Sequence, residues 1–173
     1  MQKGTVYRST GSWYDVKLED GEFTKARIQG KFRNLSIRTT NPVSVGDKVD
    51  VSINDNNEAV IKNIYPRKNY IIRKSVNLSK EAHIIASNID LAILLVTVVS
   101  PLTSPGFIDR FTVTAEAYNI PLLIVFNKVE IYDSKALAKL EDLEISYSKA
   151  GYPTLRMSVL ENIGTEDLKK KIQ

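Results

Sequence analysis

The sequence predicts an α+β chain in two parts: a five-stranded β-barrel of the OB type, followed by an incomplete parallel α/β unit. Three observations carry this. In residues 1–65 short runs of Val, Ile, Thr and Tyr are broken by turn residues at intervals of roughly 8–12. From residue 84 onward the apolar runs lose their alternation and are separated by stretches with helical spacing. Finally, the buried run PLLIVF at 121–126 passes directly into Asn127-Lys128-Val129-Glu130.

Each element of the first part has a local reason. Residues 5–9 and 13–18 flank Thr10-Gly11-Ser12, a hairpin signal, and Asp20-Gly21 turns the chain into a strand at 23–29. Asn41-Pro42 and Gly46-Asp47 bracket a loop; Val49, Val51 and Ile53 then alternate along 48–53. A polar turn at 54–57 precedes the fifth run, 59–65. Five short strands in so few residues fit a small closed barrel better than a sandwich. Residues 66–80, PRKNYIIRKSVNLSK, are polar and basic and read as a linker, so the expected domains are 1–65 and 81–173.

In the second part Ile84-Ile85 and residues 91–99 are apolar and β-branched without alternation, the pattern of strands buried on both faces. Ser104-Pro105 is a helix start, with Ser as N-cap and Pro in the first helical position. Phe107, Ile108, Phe111, Ala115 and Tyr118 follow at helical spacing, and Asn119 closes the helix. The strand at 121–126 comes next. A helix from about 134 to Gly151 should bury Leu137, Leu140 and Tyr147; a strand follows at 152–157. The last helix, 165–171, has acids first and lysines last, as the helix dipole favours. Strand and helix in alternation make a parallel unit.

Composition sets outer bounds. The 173 residues carry a net charge of +4, unevenly spread: residues 1–74 have 14 Lys/Arg against 8 Asp/Glu, residues 75–173 have 10 against 12. A basic first half points to a polyanionic partner, a solvated lysine-rich surface being the plainer alternative. There is no cysteine, hence no disulfide or thiolate metal site in these residues, and a reducing cytoplasm is expected. No signal-like segment is present, and the longest apolar run is far too short to span a bilayer, so no membrane partner is expected.

Two readings of the loop after the strand at 121–126 stand open: an ordinary loop in which Asn-Lys-x-acid occurs by chance, and a guanine-reading loop at the carboxyl end of a buried parallel strand. A carboxylate in Asn-Lys-x-acid accepts both the N1–H and the exocyclic amine of a guanine as a charge-assisted fork. The Asn holds the loop and reaches N7, and the Lys lays its apolar stem over the base. Here the acid is Glu130, one methylene longer than the usual Asp, which moves the carboxylate outward by about 1.5 Å. At the end of the next strand, Met157-Ser158-Val159-Leu160 stands where P-loop GTPases place a short loop whose backbone N–H meets the guanine O6. A G-x-x-x-x-G-K-[ST] loop and a D-x-x-G are both missing from the 173 residues. In the barrel, Trp13, Tyr14, Lys31, Arg33 and Arg38 offer rings and cations for RNA, with Arg67 and Lys68 beyond it. For Trp13 a packing role stands equally open. His83 has no paired nucleophile or metal partner in sequence, and Asp109 with Arg110 reads as a structural pair or an interdomain contact.

Several further motifs carry a family resemblance: Thr39-Thr40-Asn41-Pro42-Val43 followed by Val45-Gly46-Asp47, Pro66-Arg67-Lys68-Asn69-Tyr70, Ile72-Arg73-Lys74-Ser75, the run 84–90 (IIASNID), Ile108-Asp109-Arg110-Phe111 and Asn127-Lys128. With these the chain resembles, over essentially its whole length, the circularly permuted ribosome small-subunit-dependent GTPase A family (RsgA/YjeQ). The resemblance implies an OB-fold that binds the 30S subunit and its 16S rRNA, and a P-loop GTPase-like domain permuted so that its guanine boxes come first. It implies that Asn127, Lys128 and Glu130 read the base with Ser158 and Val159 beside it, in GTP or GDP with Mg²⁺. The phosphate loop, the Mg²⁺ ligands and a zinc domain would follow Gln173. Residues 1–173 by themselves are then expected not to hydrolyse GTP, and their sheet to show an open edge. The alternative is a stand-alone RNA-binding adaptor whose α/β half is a non-catalytic scaffold.

Overall fold

Alternation of inward and outward side chains builds the first unit. In a computed structural model, which describes residues 1–28, 42–54, 58–74 and 82–172, strands β1 (Gln2–Thr10), β2 (Trp13–Leu18), β3 (Phe23–Ile28), β4 (Lys48–Ile53) and β5 (Ala59–Ile64) close a barrel in the order β1-β2-β3-β5-β4. Four pairings are antiparallel; β3 runs parallel to β5. That is the five-stranded OB arrangement. Its core takes every second residue: Val6 from β1, Tyr14, Val16 and Leu18 from β2, Ala26 from β3, Val49 and Val51 from β4, Ala59 and Ile61 from β5.

The unit extends past the barrel to Ile89. Residues 66–80, read from composition as a linker, contain β6 (Tyr70–Lys74), which pairs antiparallel with β7 (Ala82–Ser87). The pair Ile84-Ile85, expected in the second unit, lies in β7. One buried carboxylate ties this hairpin to the barrel. Asp47, fully buried, accepts from the Ser44 amide at 2.8 Å, from Ser87 Oγ at 2.6 Å, and from Arg67 Nε and Nη2 at 2.6 and 2.7 Å. Arg67 Nη2 also donates to the Pro42 carbonyl at 3.0 Å. Beside it Gly46 has φ +90°, and a Cβ there would stand 2.0 Å from the Ser87 carbonyl oxygen, so only glycine fits.

The second unit, Asp90–Gln173, is a parallel sheet in the order β10-β9-β8 with, among the described residues, three α-helices. Its strands are β8 (Ala92–Val96), β9 (Leu122–Phe126) and β10 (Thr154–Arg156). Its helices are α1 (Pro105–Ala117), α2 (Ser134–Lys149) and α3 (Thr165–Ile172). β9, paired on both sides, is buried at every residue. β8 departs from the expected two-sided burial: Leu94 and Val96 face the interior, while Ile93 and Leu95 are 40% and 55% exposed. It is an outer strand among the described residues, and one of its faces is open.

The helices begin where the sequence places them, with different details. Ser104 is extended before Pro105, but its side chain makes no capping hydrogen bond, and α1 buries Ile108, Thr112 and Ala115 while Phe107 stays exposed. α2 is capped by Asp133, which accepts from the Ala136 amide at 2.8 Å, and buries Ala136, Leu140 and Tyr147; Leu137 lies off that face. Tyr147 donates to Asp109 Oδ1 at 2.9 Å and so ties α2 to α1; the hydroxyl's burial and this bond raise its pKa. Gly151, φ +90°, ends α2 as expected.

The Asp47 cluster makes a direct demand. Arg67→Ala leaves a buried carboxylate without its counter-charge and should cost about 3–5 kcal/mol. Urea unfolding followed through Trp13, the sole tryptophan, measures it. A loss below about 1 kcal/mol, the range of an exposed pair, would show that the pair is not structural.

Candidate functional site

Residues 127–130 sit where β9 ends, and backbone hydrogen bonds hold them there. The Asn127 amide donates to the Val96 carbonyl at 2.8 Å, carrying the β8–β9 ladder one residue past the strand. Lys128 takes the left-handed conformation, φ 65° and ψ 34°, which bends the chain out of the sheet into a single 3-10 turn, Val129–Ile131. Glu130 lies in that turn. The second loop is joined to the first: the Met157 amide donates to the Phe126 carbonyl at 2.8 Å, and the Val129 amide to the Met157 carbonyl at 3.2 Å. Asn127–Glu130 and Ser158–Val159 are thus brought together at the carboxyl end of the parallel sheet, where open α/β folds bind ligands.

Two acceptors in this loop are left over. Asn127 Oδ1 and Glu130 Oε2 are buried atoms with no hydrogen-bond partner. A buried acceptor without a donor is costly, by about 1–3 kcal/mol and more for a charged oxygen. A ligand that brings N–H donors to the loop removes that cost, and one that brings only acceptors does not. Lys128 reaches across to the β8–α1 loop and donates from Nζ to the Ser100 carbonyl at 2.9 Å, which fixes the direction of its stem.

A residue outside the sequence expectation rivets the loop. Tyr132 is buried; its hydroxyl donates to the Asn127 carbonyl at 2.6 Å and accepts from the Val98 amide at 2.8 Å. No spacing rule marks a tyrosine five positions after the Asn, so only the structure shows it. Burial raises its pKa above the ordinary 10.0; the Val98 amide opposes this, and the Glu130 charge adds to it.

In the second loop Ser158 is fully buried and its own groups are spent locally. Its amide and carbonyl pair with Ile163 at 3.0 and 2.9 Å, and its Oγ accepts from the Glu161 amide at 3.0 Å. Val159 turns its side chain outward. The turn closes on Gly164, φ +72°, where a Cβ would stand 2.2 Å from the Arg156 carbonyl oxygen.

The barrel residues named for RNA are scattered. Trp13 is half-buried, with the Arg27 guanidinium 4.0 Å from its ring centroid. Tyr14 is a correction: it points into the barrel, 1% exposed, because adjacent residues of β2 face opposite ways, and its ring has no free face for a base. Arg67 is engaged by Asp47 rather than turned to solvent, and Lys68 is exposed, its amide donating to Asn88 Oδ1 at 2.9 Å. Lys31, Arg33 and Arg38 lie outside the described residues. Among the described residues no three His, Cys, Asp or Glu side chains gather as a metal site. No described helix is long and apolar enough to cross a membrane.

Comparison with known families agrees with this geometry. Residues 64–173 match the RsgA GTPase family, and residues 3–61 match the RsgA N-terminal domain. The chain belongs to the RsgA GTPase family. Within it, the chain is 52% identical over 170 residues to the small ribosomal subunit biogenesis GTPase RsgA of Flavobacterium johnsoniae, covering 96% of this chain and 52% of that protein. To RsgA 2 of Bacteroides thetaiotaomicron it is 48% identical over 171 residues, covering 99% and 55%. The crystal structure of YjeQ from Thermotoga maritima superposes with a TM-score of 0.79 at 32% identity, over 99% of this chain and 57% of that one. YloQ, a circularly permuted GTPase, gives 0.70 at 26% identity, over 91% and 52%. The chain spans about half the length of these RsgA relatives.

Tyr132 offers a test of how the loop is held. Tyr132→Phe removes the partner of both the Val98 amide and the Asn127 carbonyl and should cost about 1–3 kcal/mol at neutral pH. Because the folded pKa is raised, the hydroxyl's contribution is full below the ordinary value of 10.0 and is lost as pH climbs through the raised one. Wild type should therefore lose stability above pH 10 faster than the variant in thermal melts. Parallel pH profiles for the two would show that the hydroxyl bears no weight.

Proposed function

We propose that these residues form the RNA-binding and base-reading part of a GTPase that acts in small ribosomal subunit biogenesis. The barrel meets 16S rRNA on the 30S subunit, and the loops after β9 and β10 hold the guanine of GTP or GDP in the cytoplasm. The observation that supports the nucleotide half is Glu130 Oε2, a buried acceptor without a donor at the carboxyl edge of the sheet. Guanine supplies the needed donors on one edge, N1–H and the amine; adenine presents its single amine elsewhere. Glu130 takes the fork of donors, and Lys128, tethered to Ser100, lays its stem over the ring. With the Ser158 amide committed to Ile163, the backbone contact to O6 falls to Val159.

Hydrolysis belongs to the whole GTPase. Phosphoryl transfer needs a backbone cradle, its Lys and a held Mg²⁺, and the 173 residues contain no G-x-x-x-x-G-K-[ST]. That same observation favours a second reading, an RNA-binding adaptor with a non-catalytic scaffold. Nucleotide selectivity separates the two.

Glu130→Gln in the whole protein should weaken GDP by about 10- to 100-fold, the range of a hydrogen bond to a charged group, and leave ADP unchanged. Equilibrium titration with fluorescent GDP and ADP measures both. Equal effects on the two nucleotides, or no guanine preference in the wild type, would sink the base-reading role and leave the adaptor.

A further inference from the structure

The outer wall of the barrel carries a cluster that neither the nucleotide site nor Trp13 uses. A β-bulge in β1 lies between Val6, opposite Val16, and Arg8, opposite Asp15. The extra residue is Tyr7, so two successive side chains, Tyr7 and Arg8, both face outward. Bulges re-aim side chains and recur beside functional sites. Tyr7 here meets Phe23 of β3 edge to face, ring centroids 5.5 Å apart, and the two are 54% and 61% exposed. Lys17 of β2, directly opposite Phe23, brings its ammonium to 5.8 Å from the Tyr7 centroid and 5.9 Å from that of Phe23.

The cluster continues around β1. A cavity of about 450 Å³ opens beside Tyr7 and Lys17 and is also lined by Lys3, Lys48 and Tyr65. Lys3 Nζ lies 5.9 Å from the Tyr65 centroid, and Lys48 Nζ donates to Thr5 Oγ1 at 2.8 Å. Three ammonium groups and one carboxylate, Glu19, line this cavity, and Asp50 stands beside it, opposite Lys3 and accepting from the Tyr65 hydroxyl at 2.9 Å. Rings left bare on a barrel wall, each with a cation within reach, match the stacking and charge pattern of single-strand binders. A duplex hides its base faces and offers such rings nothing to stack on.

We propose that Tyr7, Phe23 and Lys17, with Lys3 and Lys48 around the adjoining cavity, form a stacking platform for unpaired nucleotides of an RNA strand. The rings take base faces and the lysines take the phosphates between them. This rests on the reading that the barrel binds RNA and adds to it the strand state recognised and the residues that recognise it.

The test uses the whole chain with a fluorescent oligoadenylate of about 12 nucleotides and with a duplex of equal length, read by anisotropy across a salt series. Tyr7→Ala and Phe23→Ala, both exposed and so compatible with folding, should each weaken the oligoadenylate by about fivefold to a hundredfold with an unchanged salt slope. Lys17→Gln should lower that slope by about 0.7. The duplex should be little affected by either ring variant. If both ring variants bind the oligoadenylate as wild type does, the platform is refuted while the barrel's RNA reading stands. Equal losses on the duplex would refute stacking. Ring variants that keep the oligoadenylate but lose intact small subunits would assign the patch to a protein and overturn the proposal. Failure of wild type to bind either RNA would sink both readings.

Discussion

The candidate site depends on three backbone hydrogen bonds that outlast the strands they extend. Asn127 to Val96, Met157 to Phe126 and Val129 to Met157 carry the pairing of β8, β9 and β10 beyond their ends. Parallel strands finish on the same side, so the loops leaving β9 and β10 emerge together. The interior of β9 is the reason this position holds: Leu122 to Phe126 are all buried, and a shift of register would bring a polar loop residue into that interior. The Tyr132 hydroxyl then closes the gap between the loop after β8 and the loop after β9.

The barrel unit separates its charges by task. Asp47 and Arg67 are committed to one another and to the hairpin, with the Ser44 amide and Ser87 hydroxyl filling the carboxylate's remaining positions. A buried ion pair satisfied this fully is better understood as fixing a geometry than as adding stability. On the outer wall, by contrast, Lys3 lies next to the Tyr65 ring and Lys17 next to those of Tyr7 and Phe23. A basic excess in residues 1–74 therefore contains both a structural arginine and cations available to a polyanion.

Much of this was legible in the residues, and the exceptions have physical causes. The barrel strands announce themselves because one face is wet and the alternation survives in sequence. β9 does so because a strand covered on both faces is apolar throughout. β6 was hidden: Arg67, Lys68, Arg73 and Lys74 dominate the composition around Tyr70-Ile71-Ile72, and composition reads such a stretch as a linker. β8 looked covered on both faces because composition records what a strand can bury, not which neighbours it has. Phe107 and Leu137 lie at helical spacing yet off the buried faces, since an apolar stripe wider than the contact leaves one edge outside. Arg67 was read as a surface cation because its partner, Asp47, is twenty positions away. The Asn-Lys-x-acid motif is readable in the residues, but the unpaired acceptors on Asn127 and Glu130, and the two hydrogen bonds of Tyr132, exist only in three dimensions.

On the proposed reading, the loops after β9 and β10 take guanine and not adenine. Amide chemical-shift mapping of the whole chain titrated with guanosine and with adenosine tests it most directly, since it detects weak binding residue by residue. Guanosine should shift amides concentrated at 127–130 and 158–163, with adenosine leaving them in place. Equal shifts from both nucleosides, or guanosine shifts centred elsewhere in the chain, would contradict it.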